Sequence, residues 1–177
     1  MKKLHLGCGK RFIPWFIHID TLKYDHIDYQ TNINNLNMFD NDSINLIYAC
    51  HVLEHFWRKE IWWVLEEWFR VLKKWWILRI SVPWFDECIK IYQKHWDINL
   101  ILWPIMWGQR DKYDFHKMLF NFNNLNIILK DIWFNVVEKY NWQDTEHSNI
   151  DDYSQAYVPH MDKESGLPVS LNIEAIK

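Results

Sequence analysis

Short apolar runs alternate with longer segments of helical period along this chain of 177 residues. Four runs have the apolar character of strands that are buried in a sheet, and they cover residues 3–6, 16–19, 44–49 and 77–82. Between the last two, residues 59–72 place their apolar side chains on one face of a helix. This alternation predicts an α/β fold, in which helices cover a mostly parallel sheet.

The second half of the chain is less regular. Residues 123–132 have a helical pattern and lead into a strand at 135–139, and residues 170–176 form a closing strand that we expect in a hairpin at the sheet edge. Residues 97–122 and 140–169 lack sustained periodicity, so we expect long functional loops with short helices there. The length suits one core, and residues 1–177 are predicted to form a single domain.

Charge and cysteine content limit the classes of partner and the compartment. The formal net charge is -3, and the basic residues are scattered, so nothing resembles a surface for a phosphate backbone. We therefore expect no nucleic-acid partner, and no segment is apolar enough for a signal peptide or a membrane span. Three cysteines, an odd number without the spacing of a metal site, indicate a reducing compartment, and we expect the cytoplasm.

A glycine pair follows the first predicted strand. Ligands of parallel sheets bind at the carboxyl ends of the strands, where Gly7 and Gly9 let a ligand approach the backbone closely. Asp20 ends the second strand, where a carboxylate can accept hydrogen bonds from both hydroxyls of a ribose. Taken alone, the same residues are also compatible with an ordinary tight turn followed by a surface aspartate.

Five segments strengthen the interpretation because they occur together and in a fixed order. They are Leu4-His-Leu-Gly-Cys-Gly9, Ile17-His-Ile-Asp20, residues 42–56, Phe69-Arg-Val-Leu-Lys-Lys74 and residues 77–83. In this order they resemble class I S-adenosylmethionine-dependent methyltransferases of the methyltransferase type 11 group, over about the first half of the chain. The tail, residues 147–157 and 170–177, resembles a subgroup of predicted methyltransferases often associated with surface glycan synthesis.

The resemblance implies a three-layer α/β/α sandwich with a Rossmann-like, mostly parallel seven-stranded sheet and one antiparallel strand. It implies methyl transfer from S-adenosylmethionine to a small-molecule, glycan or lipopolysaccharide-type acceptor. The segment Asp-Pro-Pro-Tyr, typical of enzymes that methylate adenine in DNA, does not occur. A different class stays open, in which the domain binds the cofactor or a sugar, or serves as a partner module, without catalysis.

The resemblance also assigns cofactor-binding residues by position. Asn32 stands where the family usually has aspartate, but an amide oxygen can still accept a hydrogen bond from the adenine amino group. The implied set comprises Gly7, Cys8 and Gly9 against the methionine moiety, Asp20 on the ribose, Asn32 and Ile33 beside the adenine, and Cys50 and His51 closing over the cofactor.

Candidate catalytic residues follow from the chemistry of methyl transfer. The enzyme must orient the acceptor and, for a hydroxyl acceptor, help to remove its proton. His55 lies just beyond the cofactor segment, and Asp114 and His116 lie in the long loop where this fold usually gathers acceptor residues. The tail adds candidate acceptor-binding residues, namely Tyr153, Tyr157 and His160. All of these side chains are also compatible with ordinary polar loops.

The segment His51-Val-Leu-Glu54-His55 also fits the H-x-x-E-H signature of a class of zinc hydrolases. On a helix both histidines would share one face, as such a site requires, but the site also needs a third carboxylate ligand from another helix. Here an apolar strand ends immediately before His51, so a helical context is not expected. We therefore predict no bound metal, and we keep the zinc hydrolase as an alternative.

Tryptophan and glycine are present in unusual numbers, 13 and 4 respectively. Trp75-Trp76 occupies a turn where the family has two glycines, and Trp15, Trp107 and Trp133 also stand where a glycine turn or helix stop is expected. We hypothesise that several of these tryptophans correspond to a codon that the source organism translates as glycine. The alternative is a tryptophan-rich surface for a carbohydrate or a partner.

Overall fold

The computed structural model describes residues 1–177 and contains nine strands and four α-helices. The strands are β1 (Lys3–Leu6), β2 (Ile17–Asp20), β3 (Tyr29–Gln30), β4 (Ile44–Cys50), β5 (Leu72–Pro83), β6 (Val136–Lys139), β7 (Tyr157–Val158), β8 (Leu167–Pro168) and β9 (Ser170–Ile176). The helices are α1 (Glu60–Val71), α2 (Phe85–His95), α3 (Asn99–Met106) and α4 (Phe122–Asp131). No helix is long and apolar enough to cross a membrane.

Seven strands form one sheet in the order β3-β2-β1-β4-β5-β9-β6. Strands β1 to β5 pair in parallel, and β9 runs antiparallel to both of its neighbours, β5 and β6. Strand order reverses at β1, which lies between β2 and β4, so the carboxyl ends of these strands border the crevice where ligands of such sheets bind. The predicted sheet, mostly parallel with one antiparallel strand, is confirmed.

The expected edge position of the last strand is wrong. Strand β9 pairs along its length with β5 on one side and with β6 on the other, and β6 forms the edge instead. Its inward-facing side chains, Leu171, Ile173 and Ala175, are almost fully buried. An internal position buries these apolar side chains, which is why the strand enters the sheet.

Helix α1 shows how the sequence pattern produces the main core. The predicted apolar face is buried, and its residues are Ile61, Val64, Leu65, Trp68 and Val71. Their spacing of three and four residues places them on one side of the helix, against the sheet. The helix ends at Val71 because Leu72 adopts extended backbone and begins β5.

The two segments of low periodicity contain more structure than loops alone. Residues 97–122 include α3, and residues 140–169 include two single-turn helices and the small β7–β8 hairpin. Helices α2 and α3 pack with this hairpin in a second apolar cluster, which contains Cys88, Ile91, Ile101, Ala156, Val158 and Val169. This cluster fixes the two long segments beside the carboxyl edge of the sheet.

Several tryptophans occupy backbone conformations that favour glycine. Trp15, Trp75, Trp107 and Trp133, the positions singled out in the sequence, have φ values of 71°, 68°, 59° and 79°. Trp96, which follows α2, adds a fifth with φ 53°. Residues that carry a Cβ rarely adopt positive φ, so a glycine-like backbone is confirmed at all four positions. Trp75 lies within β5 and not in the expected turn, and its neighbour Trp76 does not have positive φ.

Candidate functional site

A cleft of about 920 Å³ lies at the carboxyl ends of β1, β2 and β4. This volume is within the range of sites that hold cofactors and small molecules. The cleft brings together six of the residues assigned to cofactor binding, namely Gly7, Gly9, Asp20, Asn32, Ile33 and His51. The sheet topology therefore collects these residues from the carboxyl ends of four strands, β1 to β4.

Both glycines after β1 have left-handed backbone, with φ of +61° at Gly7 and +55° at Gly9. A Cβ on Gly7 would come within 2.5 Å of Val52 Cγ2, so this position has no room for a side chain. A Cβ on Gly9 would meet no protein atom within 4 Å and would project into open space. Gly7 therefore lets the loop after β1 pack closely against Val52 in the loop after β4. Gly9 leaves the side of the turn that faces the cleft open to a ligand.

Asp20 fixes the turn at the end of β2. Its Oδ2 accepts a hydrogen bond from the Gly9 amide at 2.8 Å, and its Oδ1 accepts one from the Leu22 amide at 2.8 Å. Each carboxylate oxygen has two lone pairs, so further bonds from a ligand remain possible. The carboxylate thus ties two loops together and still presents acceptors to the cleft.

Helix α1 holds the wall that contains Asn32 and Ile33. The indole nitrogen of Trp68 donates to the Ile33 carbonyl at 2.9 Å, from a side chain that is fully buried. Glu67 accepts a hydrogen bond from the Leu36 amide at 2.7 Å. These bonds position the loop after β3 at the far side of the cleft from Gly9.

The structure does not bring Cys8 and Cys50 to the main cleft. Both line a smaller pocket of about 90 Å³ behind it. The Cys8 thiol lies 3.9 Å from His26 Nε2 instead. Burial raises the pKa of the Cys8 thiol to about 12, and it also raises that of Cys50, so both thiols are neutral.

Three of the candidate catalytic and acceptor residues line the cleft opposite the glycines: His55, Asp114 and Tyr153. Asp114 is paired with Arg110, whose Nε donates to Asp114 Oδ2 at 2.7 Å. Hydrogen bonding from Arg110 lowers the pKa of Asp114, so this carboxylate is a weak proton acceptor. His116 does not line the cleft but lies next to His55, with the centroids of the two rings 4.9 Å apart.

Tyr157 and His160 are not among the residues that line the cleft. Tyr157 belongs to β7, and Trp103 of α3 contacts the ring of His160 with the ring centroids 5.2 Å apart. Packing of the β7–β8 hairpin on the second apolar cluster directs this segment away from the glycine turn.

The segment His51-Val-Leu-Glu54-His55 does not form the α-helix that the zinc-hydrolase signature requires. His51 has left-handed backbone with φ 52°, and only Leu53–His55 form a single helical turn. The two histidines therefore do not share an α-helix face, and the alternative of a zinc hydrolase with this geometry is wrong. Burial raises the pKa of Glu54 to about 8 and lowers that of His116 to about 4.

Basic side chains of the cleft did not emerge from the sequence reasoning. Arg11, Arg110 and Lys117 all line the cleft. Arg11 lies over the Tyr153 ring at 4.6 Å and donates to the Asp151 carbonyl at 3.0 Å, so it links the glycine turn to the acceptor side. The position of Arg11, two residues after Gly9, was the sequence signal that could have identified it as a cleft residue.

Comparisons with known proteins agree on the fold. No protein-family model and no curated protein matches the chain. Among solved structures, a SAM-dependent methyltransferase from Archaeoglobus fulgidus matches with a TM-score of 0.63 and 16% identity over 99% of this chain and 86% of that one. One from Methanosarcina mazei matches with a TM-score of 0.61 and 16% identity over 99% and 92%.

A third solved structure is a complex. The 1,6-didemethyltoxoflavin-N1-methyltransferase of Burkholderia thailandensis, with bound 1,6-didemethyltoxoflavin and S-adenosylhomocysteine, matches with a TM-score of 0.58 and 10% identity over 99% of this chain and 70% of that one. Sheet order, helix placement and these matches define a Rossmann-like α/β/α sandwich. The chain has the fold of class I SAM-dependent methyltransferases.

Proposed function

We propose that this protein is an enzyme that transfers a methyl group from S-adenosylmethionine to an acceptor in the cleft. The observation that carries the proposal is the junction of Gly7, Gly9 and Asp20 at the carboxyl edge of the sheet. The Asp20 carboxylate can accept hydrogen bonds from the ribose of a nucleoside, and the two glycines let an attached amino-acid chain approach the backbone. The fold shared with known methyltransferases supports the same function.

The residues present fit this cofactor. Open space in front of Gly9 admits the methionine part, while Asp20 accepts hydrogen bonds from ribose hydroxyls. Asn32 and Ile33 border the adenine on the wall that Trp68 holds. When bound, S-adenosylmethionine supplies an electrophilic methyl group, and the protein contributes by orienting the acceptor in line with it.

The acceptor side is formed by His55, Asp114 and Tyr153. We propose that His55 contacts the acceptor and that Asp114 positions Arg110 at the entrance, while His116 packs against the His55 ring from outside the cleft. A small molecule or the terminal sugar of a glycan fits a cleft of about 920 Å³ that also holds the cofactor. The three free cysteines fit a reducing compartment, and we propose the cytoplasm.

Calorimetric titration with S-adenosylmethionine and S-adenosylhomocysteine tests the proposal. We expect one binding site for each ligand, and Asp20→Ala should weaken binding at least about tenfold because it removes a charge-assisted hydrogen-bond acceptor worth about 1.5–3 kcal/mol. Asp25→Ala is the matched control, since Asp25 is exposed and lies outside the cleft.

Alanine at the positive φ of Gly9, +55°, costs about 1–2 kcal/mol of stability. Gly9→Ala still provides a second variant, because its Cβ meets no protein atom in the free protein. It should weaken cofactor binding while circular dichroism shows a folded chain. If the wild-type protein binds neither ligand, the proposal is wrong. If Asp20→Ala binds as tightly as wild type, the ribose is not at Asp20.

A further inference from the structure

Three potential metal ligands converge next to the side of the cleft that is formed by His55, Asp114 and Tyr153. Glu54, His55 and His116 each offer one ligand atom, and these atoms lie within 4.8 Å of one another. Two hydrogen bonds join residues 54–55 to residues 115–117. The Lys117 amide donates to the Glu54 carbonyl at 2.8 Å, and His55 Nδ1 donates to the Phe115 carbonyl at 3.1 Å.

The carboxylate of Glu54 is fully buried, and neither oxygen has a hydrogen-bond partner. A buried carboxyl group without partners costs several kcal/mol of desolvation free energy. Such a group in a folded protein requires a compensating ligand, either a proton or a cation. Glu54 is therefore the residue that needs explanation.

His116 presents an unprotonated nitrogen to this carboxylate. Its Nδ1 lies 3.0 Å from the Pro104 carbonyl oxygen, and because a carbonyl can only accept, Nδ1 carries the proton of the neutral ring. Its Nε2 is buried, has no hydrogen-bond partner and lies 3.7 Å from Glu54 Oε1. Trp107 stacks on the ring with centroids 5.6 Å apart and holds its orientation.

His55 has the same tautomer for the same reason. Its Nδ1 donates to the Phe115 carbonyl, so the lone pair of the neutral ring is on Nε2. Unlike His116, His55 lines the cleft. An ion held at this position would therefore have access to the cleft through the His55 side.

A third histidine also faces the Glu54 carboxylate, although it is not one of the three potential ligands. His51 Nε2 lies 2.8 Å from Ser170 Oγ, and that hydroxyl donates to the Tyr153 carbonyl, so Nε2 of His51 is the donor. Its Nδ1 is therefore unprotonated and lies 3.3 Å from Glu54 Oε1 without a hydrogen bond. The lone pairs of two buried imidazoles, His51 and His116, thus face the same carboxylate oxygen.

We propose that Glu54, His55 and His116 bind a divalent transition-metal ion of the Zn²⁺ class. Two imidazole nitrogens and one carboxylate oxygen are ligands that such ions prefer, and the carbonyl groups on the opposite ring nitrogens orient the imidazoles as in known metal sites. Bonds of about 2.0–2.2 Å require small rotations of the three side chains toward one centre. Remaining coordination positions face water or a molecule in the cleft.

The competing explanation is a proton on Glu54, and Glu54→Gln separates the two. Glutamine has the size and the neutral charge of protonated glutamate, so a proton-stabilised cluster tolerates the substitution, whereas a metal site loses its only anionic ligand. The protein is treated with a chelator, dialysed and titrated with Zn²⁺ against a chromophoric chelator, and the bound metal is measured by mass spectrometry.

We expect one Zn²⁺ per chain for wild type and for the control His95→Gln, because His95 is exposed at the end of α2. Glu54→Gln and His116→Gln should each weaken Zn²⁺ binding at least about tenfold, the lower limit for loss of residues that merely support metal ligands. Circular dichroism establishes that the variants are folded. His116→Gln keeps the test valid if Glu54→Gln does not fold.

Cobalt substitution provides a second measurement. The visible spectrum of the Co²⁺ protein should report bound nitrogen ligands and change in His116→Gln. The proposal is overturned if wild type binds no stoichiometric Zn²⁺, or if both folded variants bind it as wild type does. Neither titration contains S-adenosylmethionine, so the outcome is independent of the proposed methyl transfer.

Discussion

At the residue scale, five tryptophans adopt positive φ, a conformation that is strained for any residue with a Cβ. Trp107 combines φ 59° with ψ -166°, a region that is essentially restricted to glycine, and Trp96 ends α2 in the left-handed conformation typical of a glycine cap. Trp15, Trp75 and Trp133 expose most of their side chains and gain little from burial. This pattern fits the hypothesis that these codons are translated as glycine in the source organism.

Trp75→Gly tests the strain directly. Left-handed backbone costs a residue with a Cβ about 1–2 kcal/mol, whereas glycine adopts it freely. We therefore expect the substitution to increase the free energy of unfolding by about 1 kcal/mol, measured by urea denaturation.

Trp63→Gly is the matched control, because Trp63 is 65% exposed, close to the 68% of Trp75, but lies within α1. Glycine inside a helix should decrease stability by about 0.5 kcal/mol relative to tryptophan. Equal effects of both substitutions would show that exposure, and not backbone conformation, controls the result. The mass of the intact protein from its native host tests the codon hypothesis itself.

At the scale of elements, ionic contacts attach the segment after β6 to the sheet. Buried Arg79 of β5 donates to Glu146 Oε2 at 2.8 Å and to Glu174 Oε1 of β9 at 2.7 Å. Tyr48 of β4 donates to Asp152 at 2.6 Å. These contacts hold the segment that carries Tyr153 against the carboxyl half of the sheet.

The attachment of Glu146 should depend on pH. Burial raises its pKa, but hydrogen bonds from Arg79 and Lys3 outweigh this and lower the value from 4.5 to about 2. A depressed pKa contributes stability above 4.5 that is lost as the pH falls toward 2. Because the Glu146 side chain is 39% exposed, solvent screening limits the contribution to about 1 kcal/mol.

Glu146→Gln should therefore lower the free energy of unfolding by about 1 kcal/mol at pH 7 and have little effect near pH 2, as measured by urea denaturation across this range. Glu164→Gln is the control, because Glu164 is exposed and forms no ion pair. A loss that is the same at both pH values would contradict the electrostatic explanation and indicate altered packing.

At the scale of the whole molecule, binding of the cofactor should increase the free energy of unfolding, because the ligand binds only to the folded chain, whose loops form the cleft. A ligand at about 100 times its Kd adds about 2.7 kcal/mol. For a chain of this size, that corresponds to an increase in Tm of about 5–10 °C. We expect S-adenosylhomocysteine to produce this shift in a thermal unfolding experiment.

The Asp20→Ala variant should show a much smaller shift at the same ligand concentration, because its Kd is higher. An unchanged Tm of the wild-type protein at saturating ligand would contradict binding of S-adenosylhomocysteine to the folded state. A shift of equal size in both proteins would place the ribose at another residue.

The sequence by itself determined the elements and the glycine turn. Periodicity, which acts over a few neighbouring residues, predicted the strands β1 and β4 and the buried face of α1. Turn chemistry and the family resemblance pointed to Gly7, Gly9 and Asp20, but the hydrogen bond between Gly9 and Asp20 appeared only in the structure. The positive φ at Trp75 was also predictable, since this segment resembles one that carries glycine there, but the residue lies within β5 and not in a turn.

Only the tertiary structure decided which distant segments meet. It inserted β9 between β5 and β6, directed Tyr157 and His160 away from the cleft, and brought His116 to Glu54. The physical reason is that burial of the whole apolar surface selects long-range pairing, and this free energy is not encoded in any local pattern. Local chemistry thus determined the cofactor turn, and packing determined what surrounds it.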